Sequence, residues 1–199
     1  MKKGLKIIAV IAAWLLIWTI GRLFYYFNFI TRIFPFLEGD EDYKYLFFCG
    51  WLILAGVIVV FFWRKKGLPF YFLNLKNKVW LFFYLIPLSQ LIYWFYQNNS
   101  PFGLAGWLYG FLILITTMAQ DLFTFGFLQT GLEKLTKPWL AALLVVITFY
   151  LGHFYFQASF LTLIFFVGFS GFAWLRAKYR SIYAINIIHL IFSLLPYQF

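Results

Sequence analysis

Residues 44–63 read KYLFFCGWLILAGVIVVFFW, and after Lys44 no charged side chain interrupts the run until Arg64. About 20 apolar residues is the length that carries an α-helix across a hydrocarbon core ~30 Å thick. In lipid each backbone N–H and C=O must find its partner inside the segment, so a run of this kind folds as a helix. Working outward, six more stretches repeat the pattern, at 5–30, 79–97, 103–132, 139–156, 158–175 and 182–196. They predict an all-α fold, a polytopic transmembrane helical bundle of about seven spans.

Composition points the same way. Of the 199 residues 64% are apolar and 26% aromatic, only 11% are charged, and the mean hydropathy is +0.86. A soluble domain of that make-up lacks the polar residues to coat itself. The net charge of +10 could suggest nucleic acid, but its placement argues otherwise. Lys2, Lys3 and Lys6; Arg64, Lys65, Lys66, Lys76 and Lys78; Lys134 and Lys137; and Arg176, Lys178 and Arg180 fall at the N-terminus and in alternate loops. These are 13 of the 16 basic residues, and they share one side. Glu38, Asp40, Glu41 and Asp42 lie in the first loop on the other side. Basic loops stay cytoplasmic, so the reading is a multi-pass protein of the cell (plasma) membrane, N-terminus inside and C-terminus outside. Its partner by charge is the bilayer; no nucleic acid is expected.

The chain reads as a single membrane domain over 1–199, with N-terminal spans in 1–98 and a C-terminal core in 100–195. Met1-Lys2-Lys3 before an apolar run resembles a signal peptide. The run continues through Trp14, Trp18 and Phe24 without a small-residue cleavage site, which favours a retained first span. Cys49 is the lone cysteine and reads as a packed thiol. Residues 64–78 form a basic connector. Pro87 should bend span three, Gly106 and Gly110 form a GxxxG contact motif on span four, and Arg22 is placed to snorkel to the outer interface.

Polar side chains inside the spans are the candidates for function, because burying them is costly. Span four carries Gln120-Asp121-Leu122-Phe123-Thr124-Phe125-Gly126-Phe127-Leu128-Gln129. On an α-helix Thr117, Asp121 and Thr124 share a face, with Gln120 at its edge. No basic residue sits one turn away, so Asp121 should be protonated or face water, a histidine or a metal; the bland alternative is a carboxyl gluing two helices together. Span five ends with Phe149 and His153 one turn apart. Span seven sets Asn186, His189 and Ser193 in a polar strip. His153 and His189 are the only histidines of the chain.

In order, spacing and placement on spans these residues resemble the CPBP intramembrane proteases, a family that includes CAAX-processing endopeptidases and bacteriocin self-immunity proteins. Its pattern is EExxxR, then FxxxH, then an HxxxN-type motif on separate helices of a bundle. Phe149 and His153 match the second motif. His189 matches the third, with Ser193 where Asn is usual. Gly126-Phe127-Leu128-Gln129 sets the register of the first, because the family often reads RGFLQ there. In that register Gln120 and Asp121 stand for the two glutamates and Phe125 for the arginine.

The resemblance implies that the first glutamate activates the attacking water while histidines and Asn stabilise the oxyanion. A glutamine amide cannot accept that proton. Asp121 lies one residue on, about 100° round an α-helix, and reaches that place only if the helix is rotated or a water bridges. The site residues are therefore Gln120, Asp121, His153, His189 and Ser193. The leading expectation is a protease-like membrane protein, catalytically weak or inactive, with a peptide-binding or bacteriocin-immunity role. The alternative is an active intramembrane endopeptidase using Asp121 with His153 and His189. A transporter would want a repeat or several pathway-lining polar residues, and neither is present. Asp plus two His is a plausible metal set, but no metal or other cofactor is expected.

The orientation is testable. A Gln198→Cys protein is expected to react with a membrane-impermeant thiol reagent from the outside, and labelling from the cytoplasmic side alone would reverse the topology.

Overall fold

A computed structural model describes residues 3–26, 41–66, 79–97, 104–154 and 160–194. Among these the chain is helical, with no strand. The elements are α1 (Lys3–Tyr26), α2 (Glu41–Lys65), α3 (Val79–Phe83), α4 (Leu85–Gln97), α5 (Leu104–Asp121), a π-helical segment (Leu122–Leu128), α6 (Gln129–Glu133), α7 (Pro138–Phe154), α8 (Phe160–Tyr179) and α9 (Tyr183–Leu194). The α5–π–α6 rod is central and touches α1, α2, α7 and α9. In turn α9 packs on α3, α4, α5 and α8.

Small residues and aromatic rings set the packing, as expected where lipid removes most of the hydrophobic drive between helices. A Cβ on Gly21 would lie 2.9 Å from Trp51 Cδ1 and 3.0 Å from the Phe48 ring, so the missing side chain is what lets α1 and α2 meet. Trp51 Nε1 uses that closeness to donate to the Ile17 carbonyl at 2.8 Å. One turn back along the same face of α1, Trp14 and Trp18 stack at 4.8 Å and lie over Gly152 of α7, whose added Cβ would meet Trp18 at 3.2 Å. Arg22 does not simply reach for the interface. It is half-buried, with its guanidinium over the Trp18 and Phe48 rings at 5.8 and 5.1 Å.

The bend expected at Pro87 is a break. Proline clashes with the carbonyl four residues back and removes a hydrogen bond; α3 ends at Phe83, four residues before Pro87, and α4 starts at Leu85. Tyr84 sits at the break, its N–H donating to Leu81 O at 3.3 Å and its carbonyl accepting from Leu88 N at 3.2 Å. At the far end of the chain α8 turns into α9 through Arg180, held in the left-handed region at φ 53°. Its N–H donates to Arg176 O at 2.7 Å and closes α8.

The outside of the bundle is apolar: Leu5, Ile8, Leu16, Val57, Phe61, Phe82, Leu85 and Val167 are all exposed. Among the described residues one stretch, Lys3–Leu23, is by itself long and apolar enough to cross a membrane, while Leu81–Tyr93, Pro138–Gly152 and Tyr183–Leu194 are shorter apolar helices. One charge of the basic loops is corrected. Arg176 is 1% exposed inside α8, because α8 runs on to Tyr179 beyond the expected end at 175. The thiol of Cys49, the Gly106–Gly110 contact and most of the 64–78 connector fall outside the described residues.

A Gly21→Val protein should lose about 1–3 kcal/mol from overpacking. Gly50→Ala, where an added Cβ meets nothing within 4 Å, should stay within about 0.5 kcal/mol of the parent. Denaturant unfolding in micelles reads both, and equal losses would remove Gly21 as the close-contact point.

Candidate functional site

Asp121 is the last residue of α5 and is completely buried. A carboxylate in that setting needs a donor for each oxygen, since an unpaired buried charge is among the costliest groups in a fold. Both partners come from α9. Asn186 Nδ2 donates to Oδ2 at 2.8 Å, and His189 Nδ1 is hydrogen-bonded to Oδ1 at 2.8 Å. Asn186 and His189 are three apart, so both lie on one face of α9. The Asn186 amide is oriented in turn by Tyr84, whose hydroxyl donates to Oδ1 at 2.7 Å. With its oxygen accepting from tyrosine, the amide can present only its NH₂ to Asp121. A hydrogen-bonded line thus runs from the Pro87 break through Tyr84, Asn186 and Asp121 to His189.

The backbone between Asp121 and Gly126-Phe127-Leu128-Gln129 leaves the α-helical pitch. Leu122–Leu128 is π-helical, and the Gln129 N–H reaches back five residues to Thr124 O as well as to Gly126 O. A π turn takes in one residue more than an α turn. The α-helical angles that place Gln120 and Asp121 relative to Gly126-Phe127-Leu128-Gln129 therefore do not hold across this segment. Gln120 is buried beside Asp121 on α5 but takes no part in these hydrogen bonds.

Rings close the site. The His189 ring meets Phe149 and Phe169 edge-on, at 6.0 and 5.4 Å between centroids. Phe125, where the family pattern has arginine, is fully buried against the same two rings, 5.5 Å from Phe149 and 5.8 Å from Phe169. Phe149 reaches Trp18 as well, at 6.0 Å, so the collar is continuous with the N-terminal half.

A guanidinium nevertheless serves this segment, from another helix. Arg176 of α8 pairs through Nη1 with Glu133, and through Nη2 with Thr130 Oγ1 and the Gly126 carbonyl, the last at 3.3 Å. Gln129 Nε2 bridges Ala173 O at 2.9 Å and Glu133 at 3.2 Å. This buried network fixes α6 and the end of the π segment to α8.

Of the residues expected from the sequence, the structure brings together Asp121 and His189. Gln120 adjoins them along α5, and Ser193 is half-buried one turn beyond His189. The side chain of His153 falls outside the described residues. Among the described residues no group of three or more His, Cys, Asp or Glu could hold a metal ion.

Residues 101–195 match the family model described as type II CAAX prenyl endopeptidase Rce1-like. The C-terminal stretch of the chain is thus similar to Rce1-like proteins. No curated protein and no solved structure matches the chain. The matched stretch is the one that carries the motifs. Tyr84 lies outside it, yet it completes the line to Asp121. Sequence reasoning found the Pro87 bend but not the side chain that the bend would free. It missed the Arg176–Glu133 pair too, although Glu133 and Asp121 are the only acids beyond the first loop.

Tyr84→Phe should destabilise the protein by about 1–3 kcal/mol, the cost of a buried acceptor left without its donor. Thermal unfolding in detergent measures this, and an unchanged midpoint would mean that Asn186 is held by α9 alone.

Proposed function

We propose that this chain is a multi-pass, protease-like membrane protein that keeps the Rce1-like framework without its water-activating base and acts by binding a peptide or membrane-protein segment, in a bacteriocin-immunity type of role. The basic loops support about seven spans in the plasma membrane with the N-terminus cytoplasmic. The observation that carries the reading is the state of Asp121. It is completely buried, and both its oxygens are taken by Asn186 and His189. A general base must lie within hydrogen-bond reach of the water it deprotonates. At the place of the first glutamate stands the amide of Gln120, which cannot take a proton at neutral pH. Phe125 adds an apolar side chain where the family pattern has a cation. The polar line from Tyr84 to His189 then holds the helices that wall the binding site.

A second reading has one specific observation in its favour, the Asp121–His189 hydrogen bond. A carboxylate on Nδ1–H fixes the imidazole so that Nε2 carries the lone pair, the arrangement by which an aspartate orients a catalytic histidine. In an active endopeptidase His189 would deprotonate water, Asp121 would hold and stabilise the imidazolium, and His153 with Ser193 would meet the developing oxyanion. Such a base contributes about 10²–10⁴-fold to the rate.

Purified protein in liposomes, offered prenylated CAAX-type peptides, separates the two by mass spectrometry of the products. The expected result is no cleavage above that of an Asp121→Asn protein. Product from the wild type that falls at least about 100-fold in Asp121→Asn, with the fold intact, would replace the binding role by general-base catalysis. Under the binding reading, peptide tolerance of cells survives Asp121→Asn and weakens in His189→Ala.

A further inference from the structure

Away from the Asp121 site, α2, α5 and the π segment enclose a cavity of about 480 Å³. Its walls are Leu52, Ile53, Gly56, Val57 and Val60 on one side and Met118, Leu122, Phe123 and Phe127, with their neighbours, on the other. Every lining side chain is apolar or glycine. Leu52 and Phe123 are buried at its floor, while Ile53 and Val57 are exposed at its lip, so it opens to the outside of the bundle. From Leu52 to Val60 the helix rises ~12 Å. One leaflet of hydrocarbon is about half of ~30 Å.

One end of the groove carries cations. Phe127, a wall residue, packs against Trp63 at 5.0 Å between ring centroids, and Lys134 Nζ lies over the Trp63 ring at 5.3 Å. Arg64, Lys65 and Lys66 follow Trp63 directly, and all three are exposed, as is Lys134. The nearest acid in sequence, Glu133, is committed to Arg176. The result is an apolar slot about one leaflet deep, ending in an aromatic ring and a cluster of positive charge. That is the shape and polarity of an amphiphile with one chain buried and an anionic head at the interface.

We propose that this groove is a binding site for an anionic phospholipid of the surrounding membrane, one acyl chain lying between α2 and α5 and the phosphate held by Lys134 and Arg64. The inference goes beyond the protease-like reading and does not depend on it, because none of Gln120, Asp121, His189 or Ser193 lines the groove. Charge complementarity selects the head group: each Lys or Arg near a surface strengthens binding of anionic lipid by about fivefold. Bulk lipid would wet the slot whatever its head, so preference for the anion is the property that marks a site.

Gly56 gives the test its control. An added Cβ there meets nothing within 4 Å, so Gly56→Leu fills the groove without disturbing a neighbour; Gly50, equally open, lies outside it. Full-length protein in detergent is titrated with dioleoylphosphatidylglycerol or dioleoylphosphatidylcholine, and bound lipids are counted by native mass spectrometry. The wild type and Gly50→Leu should retain phosphatidylglycerol at least about tenfold more tightly than phosphatidylcholine, in line with two cations at the head. Lys134→Ala with Arg64→Ala should erase that preference, and Gly56→Leu should release the tightly held lipid. Equal retention of the two lipids by the wild type would overturn the proposal, as would undiminished retention by Gly56→Leu. Light scattering that shows Gly56→Leu turning a dimer into a monomer would give the groove to a second copy of the chain and overturn it too. Lys134 and Arg64 are exposed, so the double variant remains informative if Gly56→Leu misfolds.

Discussion

A carboxylate with no access to water imposes its needs on every helix around it. Asp121 must have two partners, and Asn186 and His189 can serve only if α5 and α9 are aligned to within a hydrogen bond's length. Leaving a buried donor or acceptor without its partner costs about 1–3 kcal/mol, a sizeable share of a domain's net stability. That penalty fixes the rotation of α5 about its own axis. It draws in α3 and α4 as well, because Asn186 can turn its NH₂ to Asp121 only while Tyr84 occupies its oxygen.

The second buried network makes a demand of its own. Arg176 requires Glu133, Thr130 and the Gly126 carbonyl on the face of the rod that meets α8. Asp121 and this cluster lie on one continuous helical rod, with the π segment between them. Between the two anchors the backbone leaves the α-helical pitch over Leu122–Leu128. The side chains of this segment pack densely: Phe123 through Leu128 are all buried, so the unusual backbone is held by apolar contact on one side and by the Arg176 grip on the other.

Seen this way, Phe125 is more than a missing arginine. A cation at 125 would have to sit against Phe149 and Phe169, the rings that meet His189. The aromatic side chain fills that space, and the guanidinium that serves the segment arrives from α8 instead. Asp121 and Phe125 therefore belong to one closely packed region, in which both oxygens of Asp121 are hydrogen-bonded and aromatic rings surround His189.

Much of this was legible in the sequence, for physical reasons that need no tertiary structure. Apolar runs of bilayer length must be helical, and the helices fall where the runs do. The FxxxH and histidine motifs pointed to the stretch that matches the Rce1-like family model. Intramembrane polarity singled out Asp121 and His189, because such groups seldom face lipid. Pro87 announced a break. The phase of the helix around Asp121 could not be read, since the α-helical period assumed for any such stretch fails where a π segment intervenes, and that segment answers to contacts 50 residues away, such as Arg176 with Gly126. The partnership of Tyr84 with Asn186 spans 102 residues, and no local pattern records it. The sequence could thus say which residues are too polar to face lipid. Only the tertiary structure decided which of them meet, because long-range pairing and a local change of helical pitch together set the geometry.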